Sequence, residues 1–537
     1  MIYFLYGPPG SGKTSLGRAL STVLGLEFVD LDDAIRARAG MEIHEIFARE
    51  GEPGFRAHER DCLVDLIKRE RVIIALGGGA LLDARNRADA ERAGRVLCLY
   101  ATPEVLASRL RAEGPVRPLL AAPLGGRCFG SPGQDAVPQV DLIDKLLKDR
   151  SDHYVSFPIN LDTSALSLEE TTWQAQVRLG TFRVTGMGDG YPAWVESGGI
   201  DRIGDVFKSL RLAEPVALVS DERVAAIYAH RAIISLESAG YTARLVTFPS
   251  GEGSKNLETV ARLWQAFVDF SLERGGTVLA LGGGVVGDLA GFAAATYLRG
   301  VSWALLPTSL LAMVDASLGG KTGFDLPQGK NLVGVFYPPS FVLVDPITLA
   351  TLPEDEFRAG MAEVLKAGII ADSQLFDLCS SGSRTVRANL AEVIQRAMAV
   401  KVRIIQQDPY EADLRAVLNF GHTIGHALER ASSFRLRHGE AVAMGMVAES
   451  RLSERIGLAE SGLSGRIEKA LFHLGLPTEI EPELMGPEFI QAIRLDKKRA
   501  RRRVRFALPV RIGEVRPDVE VENYLELISR PDALTSH

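Results

Sequence analysis

Met1-Ile-Tyr-Phe-Leu-Tyr6 is an apolar run that passes directly into Gly7-Pro-Pro-Gly-Ser-Gly-Lys13-Thr14, and a helical pattern follows from Ser15 to Leu24. The loop fits G-x-x-x-x-G-K-[ST] in the strand-to-helix setting that this motif requires. Its glycines let backbone N–H groups converge on phosphate oxygens, and the helix N-terminus adds positive potential. The expected nucleotide contacts are Gly10, Gly12, Lys13, Thr14 and Ser15, with Lys13 on the β- and γ-phosphates and the Thr14 hydroxyl on Mg²⁺. The opening run lacks a cationic n-region, so it reads as a buried strand and not as a signal peptide.

Working outward, Val72–Leu76 and Val96–Tyr100 read as further strands and Ala57–Arg69 as a helix. Strands alternating with helices imply a parallel sheet covered on both faces. Gly125 to Pro138 is rich in Gly and Pro and reads as a loop. A Ser/Thr-rich stretch, Asp162–Thr172, precedes strand-like Val177–Thr185, which sets a first domain at 1–170 and a linker at 171–185. Strand candidates then recur at Val216–Ser220, Ala243–Pro249, Thr277–Leu281, Trp303–Pro307 and Phe341–Asp345. Helical periodicity dominates from Glu354 to about Leu474. The expected fold class is α/β: a P-loop parallel-sheet domain, a Rossmann-like α/β domain at 186–350, and a helical domain at 351–537.

The chain has 537 residues, with 61 Lys+Arg against 68 Asp+Glu and a net charge of −7. That balance excludes a general nucleic-acid coat protein, which needs a basic surplus. Four widely spaced cysteines without a CxxC exclude a disulfide scaffold and fit a reducing, cytoplasmic setting. Thr277–Leu298, the most apolar later stretch, contains Asp288 and three consecutive glycines, so it is a poor membrane span.

Further residues narrow the first site. Val29-Asp30-Leu31-Asp32 is read as a strand end, with Asp30 and Asp32 on one side. One carboxylate then serves Mg²⁺ and the other a hydroxyl. Gly51-Glu-Pro-Gly-Phe-Arg56-Ala-His-Glu59 supplies a cation, and Gly77-Gly78-Gly79 lets a small ligand lie against backbone N–H groups. Val116-Arg117-Pro-Leu-Leu offers a lid arginine. In this ordered set, residues 1 to about 165 closely resemble shikimate kinase. The resemblance implies ATP- and Mg²⁺-dependent phosphorylation of the shikimate 3-hydroxyl. By matching position, Lys13, Asp32 and Arg117 would be catalytic, and Asp32, Arg56, Gly78, Gly79 and Arg150 would hold shikimate. Arg56 and Arg150 would grip its carboxylate. Asp30 and Thr14 would sit at Mg²⁺, and Arg117 would close over ATP. Arg150 is followed by Ser-Asp-His-Tyr where the family usually has a proline, and the Gly125–Pro138 loop stretches the lid.

Leu279-Ala-Leu-Gly-Gly-Gly-Val-Val-Gly-Asp288 is a strand, a glycine turn and a helix start, suited to a pyrophosphate. Asn419-Phe-Gly-His422-Thr-Ile-Gly-His426 sets two imidazoles four apart on one helical face. His438 follows, and Glu363 lies in Gly360-Met-Ala-Glu-Val-Leu-Lys366. Two His and one carboxylate with an open position make a catalytic zinc set, and spacing leaves open which two imidazoles ligate. Many Lys and Arg nearby point to an anionic, phosphorylated substrate.

From about residue 186 onward the chain closely resembles 3-dehydroquinate synthase, through GGGVVGDLAGF, VDASLGGKTG, GKNLVG, AEVLK, LNFGHTIGHALE and HGEAVAMGM; Met313 stands where the family usually has Gln. The resemblance implies that Glu363, His422 and His438 bind Zn²⁺, with Co²⁺ as the alternative, and that His426 stands free beside the substrate. Lys321, His426, Lys366 and Arg299 would be catalytic. Asp315, Asn331, Lys401, Arg415, Asn419 and Lys497 would hold substrate. NAD would contact Asp221, Glu252, Lys255, Gly283, Gly284, Val285, Asp288, Thr308, Ser309, Lys321, Lys330 and Thr351. The implied substrate is 3-deoxy-D-arabino-heptulosonate 7-phosphate, which loses phosphate on the way to 3-dehydroquinate.

Lys497 also opens a run of seven cations in nine positions to Arg505. It reads as one functional lysine followed by a solvated turn. The expected partners are therefore small molecules, with no nucleic acid and no membrane, and a homodimer through the synthase half. Two other functions stay in view. One is a non-catalytic ATP-binding regulatory module joined to an active synthase. The other is a polyol dehydrogenase in the second half, against which the many phosphate-ready cations argue.

Overall fold

Strand β1 (Ile2–Tyr6) is buried along its whole length, and its alternation serves two cores. Phe4 and Tyr6 pack on one face with Phe55, Leu63 and Phe157, whereas Tyr3 and Leu5 pack on the other with Leu16 and Leu20. Such two-sided burial is what a central parallel strand requires. The computed structural model describes residues 1–112, 140–411, 413–499 and 504–529, without the side chains of 140–142, 494–499 and 529. Arg117, the Gly125–Pro138 loop and the Lys497 side chain lie outside that description. Two units are formed, Met1–Thr181 and Phe182–His537.

In the first unit β1 is joined by β2 (Glu27–Asp30), β3 (Val72–Ala75), β4 (Arg95–Tyr100) and β5 (Asn160–Asp162). The order is β2-β3-β1-β4-β5, with parallel pairing throughout. Parallel strands end at one edge, so the loop after Tyr6, Asp30 and the glycines after Leu76 gather there.

Two expectations change here. Asp30 and Asp32 do not share a strand: Asp30 ends β2 and N-caps the helix Leu31–Ala39, its carboxylate accepting the Asp32 N–H at 3.0 Å. An aspartate able to cap favours a helix start over strand continuation. The segment 171–185 is regular structure: the helix Leu168–Leu179 runs from a Ser167 cap to a left-handed Gly180, and β6 (Thr181–Val184) follows. The cap and the glycine stop settle Val177–Leu179 as helix despite the strand-like run.

The second unit adds β7 (Tyr191–Val195), β8 (Val216–Asp221), β9 (Ala243–Phe248), β10 (Thr277–Gly282) and β11 (Ser302–Pro307). An antiparallel hairpin, β12 (Lys321–Leu326) and β13 (Gly329–Phe336), precedes β14 (Val342–Val344). The main sheet runs β6-β7-β14-β11-β10-β8-β9. Gly283 caps the helix Gly284–Thr296, which starts at the end of β10. Helices then dominate, among them Glu354–Ala371, Leu390–Gln407, His422–Ala431 and His438–Arg455, before a two-stranded ribbon of β15 (Arg505–Arg511) and β16 (Glu514–Glu520). No described helix is long and apolar enough to cross a membrane.

Candidate active sites

The phosphate loop needs glycine at its start. Gly7 has φ 132, and a methyl group there would stand 2.1 Å from the Leu99 carbonyl oxygen. The loop therefore lies flat against β4 and turns Lys13 inward. Lys13 Nζ donates to the Gly7 and Pro8 carbonyls, both at 2.9 Å. Thr14 Oγ1 donates to Asp30 Oδ2 at 2.7 Å. A hydroxyl and a carboxylate in contact at the end of a phosphate loop are a donor set that suits Mg²⁺.

Beside the loop, Arg56 Nη1 meets Glu59 Oε2 at 2.7 Å and Nη2 meets Glu52 Oε1 at 3.2 Å. A methyl group on Gly79 would lie 2.8 Å from Arg56 Nη2. On Gly77 it would lie 3.2 Å from Glu59 Oε1 and 3.6 Å from Asp32 Oδ1. On Gly78 it would lie 3.2 Å from the Gly7 carbonyl oxygen. Asp32, Arg56, Glu59, the three glycines and the phosphate loop thus share one place. Arg150 reaches it from the helix Val140–Val155, with Nη1 3.4 Å from the Gly78 carbonyl oxygen. Tyr154 and Tyr6 donate to the same oxygen at 2.9 and 3.2 Å.

Glu59 was quoted in its motif without a role. Burial pushes its carboxyl up, Arg56 pulls it down, and its Oε1 is buried with no hydrogen-bond partner among the described residues. Its spacing three residues after Arg56 on a helix is the signal that pairs them.

In the second unit the long helices bring Glu363, His422 and His438 together. Both imidazole Nε2 atoms stand 3.5 Å from Glu363 Oε1, and the two rings are 5.2 Å apart. That Oε1 has no hydrogen-bond partner among the described residues. The opposite Nδ1 atoms are oriented, His422 toward the Phe420 carbonyl at 3.2 Å and His438 toward Glu429 Oε2 at 3.3 Å. Acceptors on Nδ1 leave Nε2 lone pairs for a metal, the usual arrangement of ligating histidines. His426 stands apart from Glu363, with Nε2 4.0 Å from Glu429 Oε2 and its side chain exposed.

Charge fits the donor set at Glu363 and His422, whereas His438 carries a proton that a metal would displace. Burial alone would raise Glu363, but Lys366 and the imidazoles hold it well below the carboxylate range. Burial, with Lys366, holds His422 well below the imidazole range. Burial also opposes charge on His438, yet Glu363 and Glu429 outweigh it and lift that ring to about 10. An orphaned carboxylate oxygen facing two oriented imidazoles suits a divalent cation. Glu429 was not foreseen as a partner of His438. It lies three residues after His426, and only the helix pairing puts it behind the second ring.

The remaining expected residues form three groups. Lys366 contacts Glu363 Oε2 and donates to the Leu418 carbonyl at 2.8 Å. Lys401 is buried and bonded to the Asp315 carboxylate and carbonyl. Arg415, also buried, donates to the Pro409 carbonyl at 2.8 Å. Around the glycine turn, Lys255 meets Asp288 at 2.6 Å and Asn331 Oδ1 at 2.5 Å, so Asn331 lies beside Lys255 and Asp288. Lys330 bridges outward, 3.4 Å from Glu252 and 4.0 Å from Glu429. A methyl group on Gly283 would meet Ser309 Oγ at 3.4 Å, and one on Gly284 would meet Ala316 Cβ at 3.4 Å. The backbone there forms a cradle beside Val285. The Thr308 N–H bonds the Gly282 carbonyl, Asp221 caps the helix after β8, and Thr351 Oγ1 meets Tyr228 Oη at 2.7 Å. Lys321 pairs with Glu411 at the surface, while Arg299 and Asn419 stand exposed at the ends of the turns Tyr297–Arg299 and Leu414–Asn419.

Comparison with known proteins places the chain by family. The family model for shikimate kinase matches residues 9–129, and those for the N- and C-terminal parts of 3-dehydroquinate synthase match residues 245–359 and 360–499. The 3-dehydroquinate synthase of Synechocystis sp. is 44% identical over 333 residues, covering 60% of this chain and 92% of that protein. The solved 2-epi-5-epi-valiolone synthase of Streptomyces hygroscopicus, with NAD⁺ and Zn²⁺ bound, is 29% identical with a TM-score of 0.57, covering 65% of this chain and 98% of its own. A 2-deoxy-scyllo-inosose synthase complexed with carbaglucose-6-phosphate, NAD⁺ and Co²⁺ is 25% identical, covers the same 65% of this chain and 98% of its own, and has a TM-score of 0.59. The chain therefore belongs to the 3-dehydroquinate synthase family and carries that enzyme fused behind an N-terminal shikimate kinase.

Proposed function

We propose that the first unit transfers the γ-phosphoryl group of ATP to the 3-hydroxyl of shikimate. We propose that the second converts 3-deoxy-D-arabino-heptulosonate 7-phosphate to 3-dehydroquinate, with release of phosphate. The observation that carries the reading is the orphaned Glu363 Oε1 between two imidazoles oriented from behind.

In the kinase, Lys13 and the loop N–H groups hold the phosphates, and Thr14 with Asp30 holds Mg²⁺. Arg56 and Arg150 converge on the three glycines, which fits a carboxylate held by two guanidinium groups. Asp32 faces the same space and orients the hydroxyl that attacks. Arg117 is proposed as the lid cation. Little covalent work is asked of the protein, since positioning and charge neutralisation carry phosphoryl transfer.

In the synthase, Glu363, His422 and His438 would hold Zn²⁺ or Co²⁺, and the cradle from Gly283 to Asp288, with Lys255, would hold NAD⁺. When bound, the pair supplies reversible hydride acceptance and Lewis acidity toward a hydroxyl oxygen. Lys321, Lys366, Lys401, Arg415 and Asn419 offer cations and hydrogen bonds to a substrate with a carboxylate and a phosphate. Arg299 and Lys497 are proposed for the same anions. His426, exposed and 4.0 Å from Glu429, is proposed to exchange protons with substrate. Substrate and products stand at the same overall oxidation level, so no net NADH is expected, unlike in a polyol dehydrogenase.

The test offers the purified full chain each substrate set separately. Shikimate with ATP and Mg²⁺ should give shikimate 3-phosphate, and the heptulosonate phosphate should release inorganic phosphate without NADH accumulating. No shikimate phosphorylation would leave the first unit a non-catalytic nucleotide-binding module. NADH accumulation would overturn the synthase reading.

A further inference from the structure

We propose that Glu449 is a positioning residue for the metal site, capping from a neighbouring helix the N-terminus that carries His422. This rests on the metal-site reading above.

The helix His422–Ala431 starts at Gly421, which has φ 79 and no side chain to accept the first N–H groups. Those groups need acceptors in a buried helix start. A capping serine or asparagine has no room at this position. A Cβ on Gly421 would stand 2.6 Å from Met446 Cγ and 2.8 Å from the Val442 carbonyl oxygen. Across the contact, a Cβ on Gly445 would stand 2.0 Å from the Gly421 carbonyl oxygen. The two helices touch backbone to backbone, so the cap has to come from elsewhere.

Glu449 supplies it, one turn beyond Gly445 on the helix His438–Arg455. It is fully buried, at 0% exposure. Its Oε2 accepts the Gly421 N–H at 2.6 Å, and its Oε1 accepts the Ile424 N–H at 3.1 Å. These bonds bracket His422 on both sides. They fix the turn from which its ring departs, including the Phe420 carbonyl that meets Nδ1 at 3.2 Å. Among the described residues Glu449 hydrogen-bonds none of the three metal-binding side chains, and it acts through the backbone. Partners that hold a ligating ring directly are worth about 10–100-fold in metal affinity, and a cap that sets the backbone of the same ring is expected to fall in that range.

The test is a Zn²⁺ titration of the full chain against a competing chelator, with NAD⁺ affinity read on the same samples. Glu449→Gln keeps the shape but turns an amide N–H against one of the two donors. The expected result is a 10–100-fold loss of Zn²⁺ affinity with NAD⁺ affinity unchanged. Parental Zn²⁺ affinity, or an equal loss of both affinities, overturns the inference. If Glu449→Gln does not fold, Glu449→Asp decides by the same titration, because it keeps the carboxyl group but withdraws it by one methylene. Weakened Zn²⁺ binding there supports the cap, and parental binding overturns it. Glu363→Ala is the control: parental Zn²⁺ affinity in that variant overturns the metal site itself, and with it this inference. Loss in Glu363→Ala together with parental affinity in Glu449→Gln removes the cap alone.

Discussion

Thr14 Oγ1 donates to Asp30 Oδ2 at 2.7 Å, which joins the phosphate loop to the end of β2, one strand removed from β1 in the sheet. Asp30 spends its other oxygen on the Asp32 N–H at 3.0 Å. One carboxylate thus sets both the Mg²⁺ hydroxyl and the helix turn from which Asp32 projects.

Lys13→Ala should lower shikimate phosphorylation by at least about 10²–10³-fold, the scale of losing one preorganised charge at a reacting centre. Phosphate release from the heptulosonate phosphate should stay at the parental rate. Steady-state assays of both reactions on one preparation check this, and a matching fall in both, with the fold intact, contradicts two separate sites.

Arg150→Ala should raise the KM for shikimate by roughly 10–100-fold, the worth of a hydrogen bond to a charged group. The KM for ATP should change less, because the hydrogen bond of Arg150 goes to Gly78. An unchanged KM for shikimate would assign Arg150 to the Gly78 carbonyl alone.

Much of this was legible in the sequence, and the parts that were not share a cause. The β1–loop–helix unit, the glycine turn after β10 and the pairing of His422 with His426 rest on local period and spacing, which one window of sequence contains. Asp32 was misplaced because Asp30 can either end a strand or cap a helix, and only the cap hydrogen bond decides. Residues 171–185 misled because Val177 looks like strand, while Ser167 upstream of that run and Gly180 within it bound a helix. The choice among three imidazoles, the role of Glu429 behind His438 and that of Glu449 behind Gly421 depend on two helices crossing. No spacing encodes that crossing; its trace is the glycine pair Gly421 and Gly445, small enough for backbones to touch.

Gly7→Ala should destabilise the first unit by about 1–3 kcal/mol, because the residue sits at φ 132 and the methyl group meets the Leu99 carbonyl. Denaturant unfolding should show the loss in a transition that abolishes kinase activity, with the synthase transition in place. An unshifted kinase transition would mean that the loop is free to move away from β4.

The most direct measurement is the pair of activities of the full chain before and after zinc is stripped with a chelator, with Mg²⁺ restored for the assay. The account predicts that phosphate release from the heptulosonate phosphate disappears and returns with added Zn²⁺, while shikimate phosphorylation is unchanged throughout. Synthase activity that survives the loss of zinc, or kinase activity that falls with it, would contradict the account.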